Sequence, residues 1–132
     1  MTAPVIERLR TRAQFLAVRS GARAARPTLL VEAKRRAETG PIGLGLTASR
    51  KIGNAVARNR ARRRLREAAR QLLPKHGLPG VDYVLVARQA APDAPWAALL
   101  DDLQNALIRL AAALDSAQAE PQKRAPKRPS RK

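Results

Sequence analysis

The segment from Gly43 to Arg70 contains the side chains of this sequence that are best suited to bind a polyanion. Its nine Lys/Arg residues are accompanied by a single acid, Glu67, and regular apolar positions run between them. Guanidinium groups make planar, bidentate hydrogen bonds to phosphate and base edges, whereas ammonium groups act as point charges. A folded element with this density of positive charge indicates nucleic acid as the partner. The alternative is a solvated charged face, as in Arg-rich helices of structural, ribosomal-type RNA-binding proteins.

Two details within the segment favour recognition over a merely solvated face. Asn54 and Asn59 are interleaved with the arginines and supply donor and acceptor pairs that can read nucleotides. The residues before the helix, Ile42–Ser49, alternate between apolar side chains and a face of almost no bulk. That thin face is formed by Gly43, Gly45, Thr47 and Ser49 and predicts a groove beside the basic helix, with close helix packing as the alternative.

A protein-borne active site is not indicated. The single histidine, His76, follows the basic helix, and a lone histidine of this kind is more often solvated than catalytic. Glu67, Asp82 and Asp93 are the acids between Gly43 and Leu100, and their spacing suggests no carboxylate cluster for metal ions. The sequence therefore predicts no catalytic residue and no metal site. A protein-only nuclease acting through Glu67 or Asp82 is the least favoured hypothesis.

Composition supports the nucleic-acid interpretation. The 132 residues carry a net charge of +17, with 27 Lys/Arg against 10 Asp/Glu. A membrane surface is a less suitable partner, because the basic helix lacks a broad apolar and aromatic face. The sequence contains no cysteine and no apolar run of transmembrane length. We expect a monomeric, cytoplasmic protein with no membrane association.

The elements that must position these residues follow from periodicity. Thr11 and Gln14 have the form of a capping box and predict a helix through Arg19. Residues 28–33 and 42–49 predict strands, with a hairpin turn at residues 35–40. Asn54 is the predicted N-cap of a helix over residues 55–73, ended by Pro74 and the Gly77–Gly80 stretch.

The rest of the chain predicts one more strand and helix. Residues 81–88 form a nearly continuous apolar run, which is typical of a central strand. Asp93 is the predicted cap of a last helix whose apolar positions extend to Leu114. The order gives an α+β fold, an α/β sandwich, as a single domain over residues 1–114. Residues 115–132 are rich in Lys, Arg and Pro and predict a disordered basic tail.

The basic segment closely resembles the protein subunit of bacterial ribonuclease P. The hallmark is an Arg-Asn-Arg triplet, here Arg58-Asn59-Arg60, with the approach Arg50-Lys51-Ile52-Gly53-Asn54 before it and spaced arginines after it. The resemblance extends from about Leu9 to Leu110 and leaves out the tail. It implies an α/β sandwich with mixed sheet, order α-β-β(-β)-α-β-α, and an uncommon left-handed crossover.

The resemblance also implies a function and its partners. In that family the protein assists a catalytic RNA that removes the 5′ leader from precursor tRNA, and magnesium ions are held mainly by RNA. We expect no cofactor bound by the protein alone and a 1:1 ribonucleoprotein. The residues expected to contact the catalytic RNA are Arg50, Lys51, Asn54, Arg58, Asn59, Arg60, Arg62, Arg63 and Arg66.

A central cleft between the first helix and the sheet is expected to hold the single-stranded leader. Its expected residues are Phe15, Arg19, Val31, Gly43, Gly45, Thr47 and Ser49. The chain departs from the family pattern here, since Arg19 and Val31 stand at positions that are often aromatic. Stacking contributes about 1–3 kcal/mol per base, so the loss of aromatics weakens base-dependent leader contacts. Arg19 could compensate by stacking its guanidinium or by pairing with phosphate.

Overall fold

The structure, a computed structural model, describes residues 5–119. Five strands and three α-helices make up this part of the chain, joined by short loops and one 3₁₀ turn. In chain order they are β1 (Ile6–Arg8), α1 (Arg12–Arg19), β2 (Ala22–Ala25), β3 (Leu29–Arg35), β4 (Ile42–Thr47), the 3₁₀ turn (Arg50–Ile52), α2 (Ala55–His76), β5 (Val81–Ala87) and α3 (Trp96–Ala119).

The strands form one mixed sheet with the spatial order β1-β4-β5-β3-β2. β4 pairs in parallel with β1 and with β5, whereas β3 pairs antiparallel with β5 and with β2. The central position predicted for residues 81–88 is confirmed, because β5 has a strand on each side. The α+β sandwich with a mixed sheet is confirmed as well, and β4-α2-β5 is its parallel crossover. The left-handed sense of that crossover stays a prediction.

The predicted hairpin at residues 35–40 is wrong, because β5 lies between β3 and β4. The connecting loop packs instead against the start of β5, where the backbone N–H groups of Arg36 and Ala37 donate to the Gly80 carbonyl at 2.7 and 3.0 Å. Gly80 has a φ of 73°, and a Cβ at this position would lie 2.1 Å from the Ala37 carbonyl oxygen. Only glycine therefore allows the loop and the strand to approach this closely.

The two faces of the sheet are covered unequally. On one face α2 and α3 enclose the main core, which includes Tyr83, Leu85 and Leu103, all fully buried. On the other face α1 covers a small cluster formed by Leu9, Val18 and Val84. Since α1 has only eight residues, part of this second face stays open.

Several helix boundaries follow the sequence predictions. The capping box of α1 is present, with Gln14 N donating to Thr11 Oγ1 and Gln14 Oε1 accepting from Thr11 N. Asn54 caps α2 by accepting from Ala57 N at 2.9 Å. The predicted core positions of α2, from Ala61 to Leu72, are buried. Pro74 does not end α2, because a proline near a helix end removes only one backbone hydrogen bond. The helix continues to His76 and ends at Gly77, its C-cap, as the Gly77–Gly80 stretch predicted.

The predictions for the C-terminal part need two corrections. Asp93 does not cap α3, because the helix begins at Trp96 and Asp93 lies in the preceding turn. Residues 115–119, which were predicted to belong to the tail, continue α3 through Ala119. The remaining residues of the predicted tail, 120–132, lie outside the described residues.

Candidate nucleic-acid interface

The N-terminal half of α2 presents its predicted RNA contacts on the helix side away from the core. Ala61 and Leu65 face the core and are fully buried, whereas Asn59, Arg63 and Arg66 are exposed. The positive charges of the α2 arginines repel one another along the helix, and the buried apolar stripe offsets that repulsion. The helix therefore folds with these cations exposed on its surface.

Local hydrogen bonds fix the beginning of this basic surface. Arg58 Nη1 donates to the Gly53 carbonyl at 3.1 Å, and Arg62 Nη1 donates to Asn59 Oδ1 at 2.8 Å. Arg50 and Lys51 lie in the 3₁₀ turn just before α2, and both are exposed. Gln89, in the loop after β5, donates from Nε2 to the Lys51 carbonyl at 3.3 Å. These contacts hold the 3₁₀ turn and the Arg-Asn-Arg triplet of α2 together on one surface.

One arginine of α2 has a structural role that the sequence did not reveal. Arg64 is half-buried and donates from Nη1 and Nη2 to the Ala91 and Ala94 carbonyls at 2.7 and 2.5 Å. Its guanidinium also lies 5.7 Å from the centroid of the Trp96 ring. Arg64 therefore joins α2 to the turn before α3 and is not free to contact RNA with its guanidinium.

A groove lies on the sheet face that α1 leaves open, and we call it the sheet groove. Phe15, Arg19 and Arg23 form one side, the strand end from Thr47 to Ser49 forms the other, and β3 and β5 form the floor. The floor side chains are Leu30, Glu32, Val84 and Val86.

The sheet register explains the shape of this groove. Gly45, Val84, Glu32 and Arg23 lie opposite one another on four successive strands, so they form one row across the sheet. Gly45 adds no side chain to the row, and the Phe15 ring fills the space above it. A Cβ at Gly45 would lie 2.5 Å from Phe15 Cε2. The glycine thus allows α1 to place its aromatic ring directly on the sheet.

A second pocket joins the groove to α2 around the edge of the sheet. β1 is only three residues long and pairs with β4 as far as Leu44, so β4 beyond that point has a free edge. Phe15 and Gly45 line this edge pocket together with Arg62 and Arg66 of α2. Phe15 is therefore shared by the sheet groove and the edge pocket, and two arginines predicted to contact the catalytic RNA also border the predicted leader cleft.

Two residues assigned to the leader cleft do not line it. Val31 is fully buried in the main core, on the opposite face of the sheet, so its predicted position in the cleft is wrong. Its neighbours Leu30 and Glu32 line the groove instead, because side chains alternate between faces along a strand. Gly43 lies on the correct face but is covered, since a Cβ there would lie 2.1 Å from Asp82 Oδ1 and 2.9 Å from Leu9 Cδ2.

Five charged residues of these pockets were not predicted. Arg8 borders the edge pocket, Arg10 and Arg12 line a pocket beside α1 together with Arg62, and Arg23 and Glu32 belong to the sheet groove. The flanking strands β1 and β2 are three and four residues long and carry no apolar alternation that would have indicated them. The sequence of β3 has consecutive apolar residues before Glu32 and gave no signal that would have placed Glu32 on the groove face.

The carboxyl of Glu67, on α2, is paired with neighbouring side chains. Glu67 receives hydrogen bonds from Arg70 and Gln71, and these bonds lower the pKa of its carboxyl. Within residues 5–119, no three His, Asp or Glu side chains lie together in a way that could hold a metal ion. No helix in this part of the chain combines the length and apolar character needed to cross a membrane.

Fold and surface together define an α/β sandwich protein with an arginine-rich helix beside an open groove, a surface suited to nucleic acid. A model of the Ribonuclease P family matches residues 4–111. The ribonuclease P protein component of Caulobacter vibrioides is 48% identical over 110 residues, which cover 83% of this chain and 74% of that protein. The ribonuclease P protein component of Ruegeria pomeroyi is 49% identical over 105 residues, which cover 77% of this chain and 84% of that protein. The chain belongs to the ribonuclease P protein family.

Solved structures agree with this assignment. The ribonuclease P protein from Thermotoga maritima superimposes with a TM-score of 0.67 at 27% identity, over 78% of this chain and 96% of that one. The Staphylococcus aureus protein gives a TM-score of 0.60 at 26% identity, over 79% and 94%. The family identifies the chain as a protein component of ribonuclease P, an endoribonuclease of tRNA 5′ processing whose partner is ribonuclease P RNA. A purely structural, ribosomal-type role is not favoured.

Proposed function

We propose that this protein binds the catalytic RNA of ribonuclease P through α2 and the 5′ leader of precursor tRNA through the sheet groove. The observation that carries the proposal is the shared position of Phe15. Its ring borders the sheet groove on one side and, in the edge pocket, lies beside Arg62 and Arg66 of α2. A single strand in the groove would therefore lie next to the helix that binds the catalytic RNA.

The groove has the composition that single-stranded RNA requires. Its floor carries apolar Leu30, Val84 and Val86, and Arg19 and Arg23 flank it. Proteins bind single strands by combining an apolar or aromatic surface for bases with cations for the backbone. Phe15 is the aromatic residue in this groove, so we expect leader binding to depend on it.

The chemical step belongs to the RNA in this proposal. Magnesium ions, which would supply the two-metal chemistry, are held mainly by the RNA. The protein contributes positive charge that reduces the repulsion between two polyanions, and it holds the leader near the cleavage site. It acts as one copy per RNA, in the cytoplasm, where bacterial precursor tRNA is made.

A reconstitution experiment tests this division of labour. Cleavage of precursor tRNA by the RNA subunit is measured at low and high magnesium, with and without the protein. We expect the protein to raise the rate strongly at low magnesium and little at high magnesium, because excess cations replace its screening. Equal cleavage rates with and without the protein at low magnesium would contradict the proposal.

A variant tests the role of α2 directly. Changing Arg58 and Arg60 together to Ala removes two cations of the triplet and should weaken binding to the RNA subunit by roughly 3–6 kcal/mol, at about 1.5–3 kcal/mol for each charged hydrogen bond. The matched control changes Arg70 and Arg109 to Ala, because both are exposed and lie outside the predicted surface. Equal losses in the two double variants would mean that binding responds to total charge and not to this surface.

A further inference from the structure

Glu32 is an acid on the floor of a groove whose other charged residues are arginines. It lies in the row across the sheet, opposite Val84 on β5 and opposite Arg23 on β2. Only 6% of the residue is exposed, and the part that is exposed borders the sheet groove. A buried carboxylate here is unexpected in a protein of net charge +17 that binds RNA, because it repels phosphate.

The carboxylate keeps its capacity to accept hydrogen bonds. Its nearest cation is Arg23, whose Nη2 lies 3.9 Å from Oε2, too far for a hydrogen bond. Among residues 5–119, no donor is hydrogen-bonded to either oxygen. Buried charges are normally paired and hydrogen-bonded, so these oxygens are suited to donors that arrive with a ligand.

The bases of a single strand carry such donors, and they differ in how well they match a carboxylate. Guanine presents N1–H and N2–H₂ side by side, so it can donate two parallel hydrogen bonds to the two oxygens. Cytosine and adenine present one amino group beside an acceptor nitrogen, and uracil presents one N–H between two carbonyl groups. The order of fit is therefore guanine first and uracil last.

We propose that Glu32 selects a guanine in the 5′ leader by accepting from its N1–H and N2–H₂ groups. The inference rests on the proposed binding of the leader in the sheet groove. Phosphates would remain near Arg19 and Arg23 at the groove side, and the carboxylate would turn a base inward, because it repels the backbone. Glu32 thus acts as a specificity-determining residue, whereas Phe15 provides a contact that every base can use.

The alternative is a cross-strand ion pair with no role in RNA binding. Arg23 and Glu32 are direct partners across β2 and β3, which is where such pairs form. The two roles differ in their dependence on Arg23. An ion pair is broken equally by Glu32→Gln and by Arg23→Gln, whereas base selection needs only the carboxylate.

The experiment uses the full chain reconstituted with ribonuclease P RNA and a pool of precursor tRNAs with randomised leaders. In competition, the wild-type complex should favour guanine over uracil at one leader position by roughly 5-fold to 150-fold, the range of a bidentate contact. Glu32→Gln should abolish this preference, whereas Arg23→Gln should weaken leader binding overall and keep the ratio of guanine to uracil. No preference in the wild type, or the same preference in Glu32→Gln, would overturn the inference.

A second experiment uses the wild-type protein and changes only the RNA. Inosine retains N1–H but lacks the N2 amino group, so replacing the selected guanosine by inosine should weaken binding to the wild-type complex several-fold. Equal binding of both nucleosides would overturn the inference even if Glu32→Gln failed to fold. Precursors with full and one-nucleotide leaders serve as the reference. If the protein binds both equally, leader binding itself fails, whereas a leader effect without guanine preference removes only the role of Glu32.

Discussion

Arg60 Nη1 donates a hydrogen bond to Asp93 Oδ1 across 3.0 Å, which links the Arg-Asn-Arg triplet of α2 to the turn before α3. Both side chains are largely exposed, at 54% for Arg60 and 82% for Asp93. Exposed pairs of this kind contribute about 0.2–1 kcal/mol. The pair therefore orients Arg60 without holding it firmly, and an RNA phosphate can replace the carboxylate.

This competition predicts that Asp93→Asn strengthens the proposed binding of α2 to ribonuclease P RNA. In this variant RNA binding no longer has to break the ion pair between Arg60 and residue 93, so the affinity for RNA should rise by about 1.5-fold to 5-fold. The control is Asp101→Asn, which changes the net charge equally at an exposed acid of α3. Dissociation constants measured at several salt concentrations decide the matter, and equal effects of the two variants would assign the gain to net charge alone.

The contact between Gly45 and Phe15 predicts a destabilising alanine. A methyl group at residue 45 would overlap the Phe15 ring, at 2.5 Å from Cε2, so one of the two must move. Overpacking costs about 1–3 kcal/mol, which exceeds the gain of about 0.4–1 kcal/mol from a stiffer unfolded chain. We expect Gly45→Ala to lower the free energy of unfolding measured in urea.

The Phe15→Ala background provides the control for that prediction. Without the ring, the remaining close contact of the added methyl group is Leu9 Cδ1 at 3.3 Å, so Gly45→Ala should cost less there than in the wild type. A double-mutant cycle gives the coupling between the two sites. Identical costs in both backgrounds would show that the ring does not rest on Gly45 in solution.

The basic helix and the thin face of β4 were predictable, because both depend on local periodicity. Ala61 and Leu65 repeat at helical spacing, and Ile42 alternates with Gly43, so each pattern determines which side is buried. The strand β3 has no such alternation, since its apolar residues are consecutive. Val31 was therefore assigned to the wrong face, and a shift of one residue in a strand reverses every side chain.

Long-range relationships could not be predicted from the sequence. The insertion of β5 between β3 and β4 is determined by the pairing of the whole sheet, and the loop at residues 35–40 has the composition of a hairpin turn in either case. The contact between Arg60 and Asp93 joins residues that are 33 positions apart. Aspartate is common as a helix N-cap and as an ion-pair partner of arginine. The residues next to Asp93 in the sequence do not distinguish between these two roles.

The hydrogen bonds of Arg64 predict that Arg64→Lys lowers the stability of the protein although it keeps the positive charge. Arg64→Lys cannot bridge the Ala91 and Ala94 carbonyls as the guanidinium does, so one buried acceptor loses its partner. The free energy of unfolding should fall by about 1–3 kcal/mol. Arg63→Lys, at the exposed neighbouring position, should change it by less than about 0.5 kcal/mol. A loss of stability in both variants would count against the bridging role.

Tyr83 predicts a pH dependence of stability at the alkaline end. Burial raises the pKa of its phenol above the ordinary value of 10.0, and its Oη accepts a hydrogen bond from Leu78 N at 3.0 Å. Above pH 10 the unfolded chain loses the phenolic proton before the folded protein does, so the unfolded state binds fewer protons. The free energy of unfolding should therefore be intact below pH 10 and should fall as the pH rises further.

Tyr83→Phe isolates this contribution, because Tyr83 is the only tyrosine of the sequence and the lysines are common to both proteins. At neutral pH the variant should be less stable by about 1–3 kcal/mol, since Leu78 N loses its acceptor. Urea unfolding between pH 8 and about 11 should then show the difference between the two proteins shrinking as the pH rises, because only the wild type loses phenol-linked stability. A difference that stays constant over this range would mean that the Tyr83 phenol ionises equally in the folded and unfolded states.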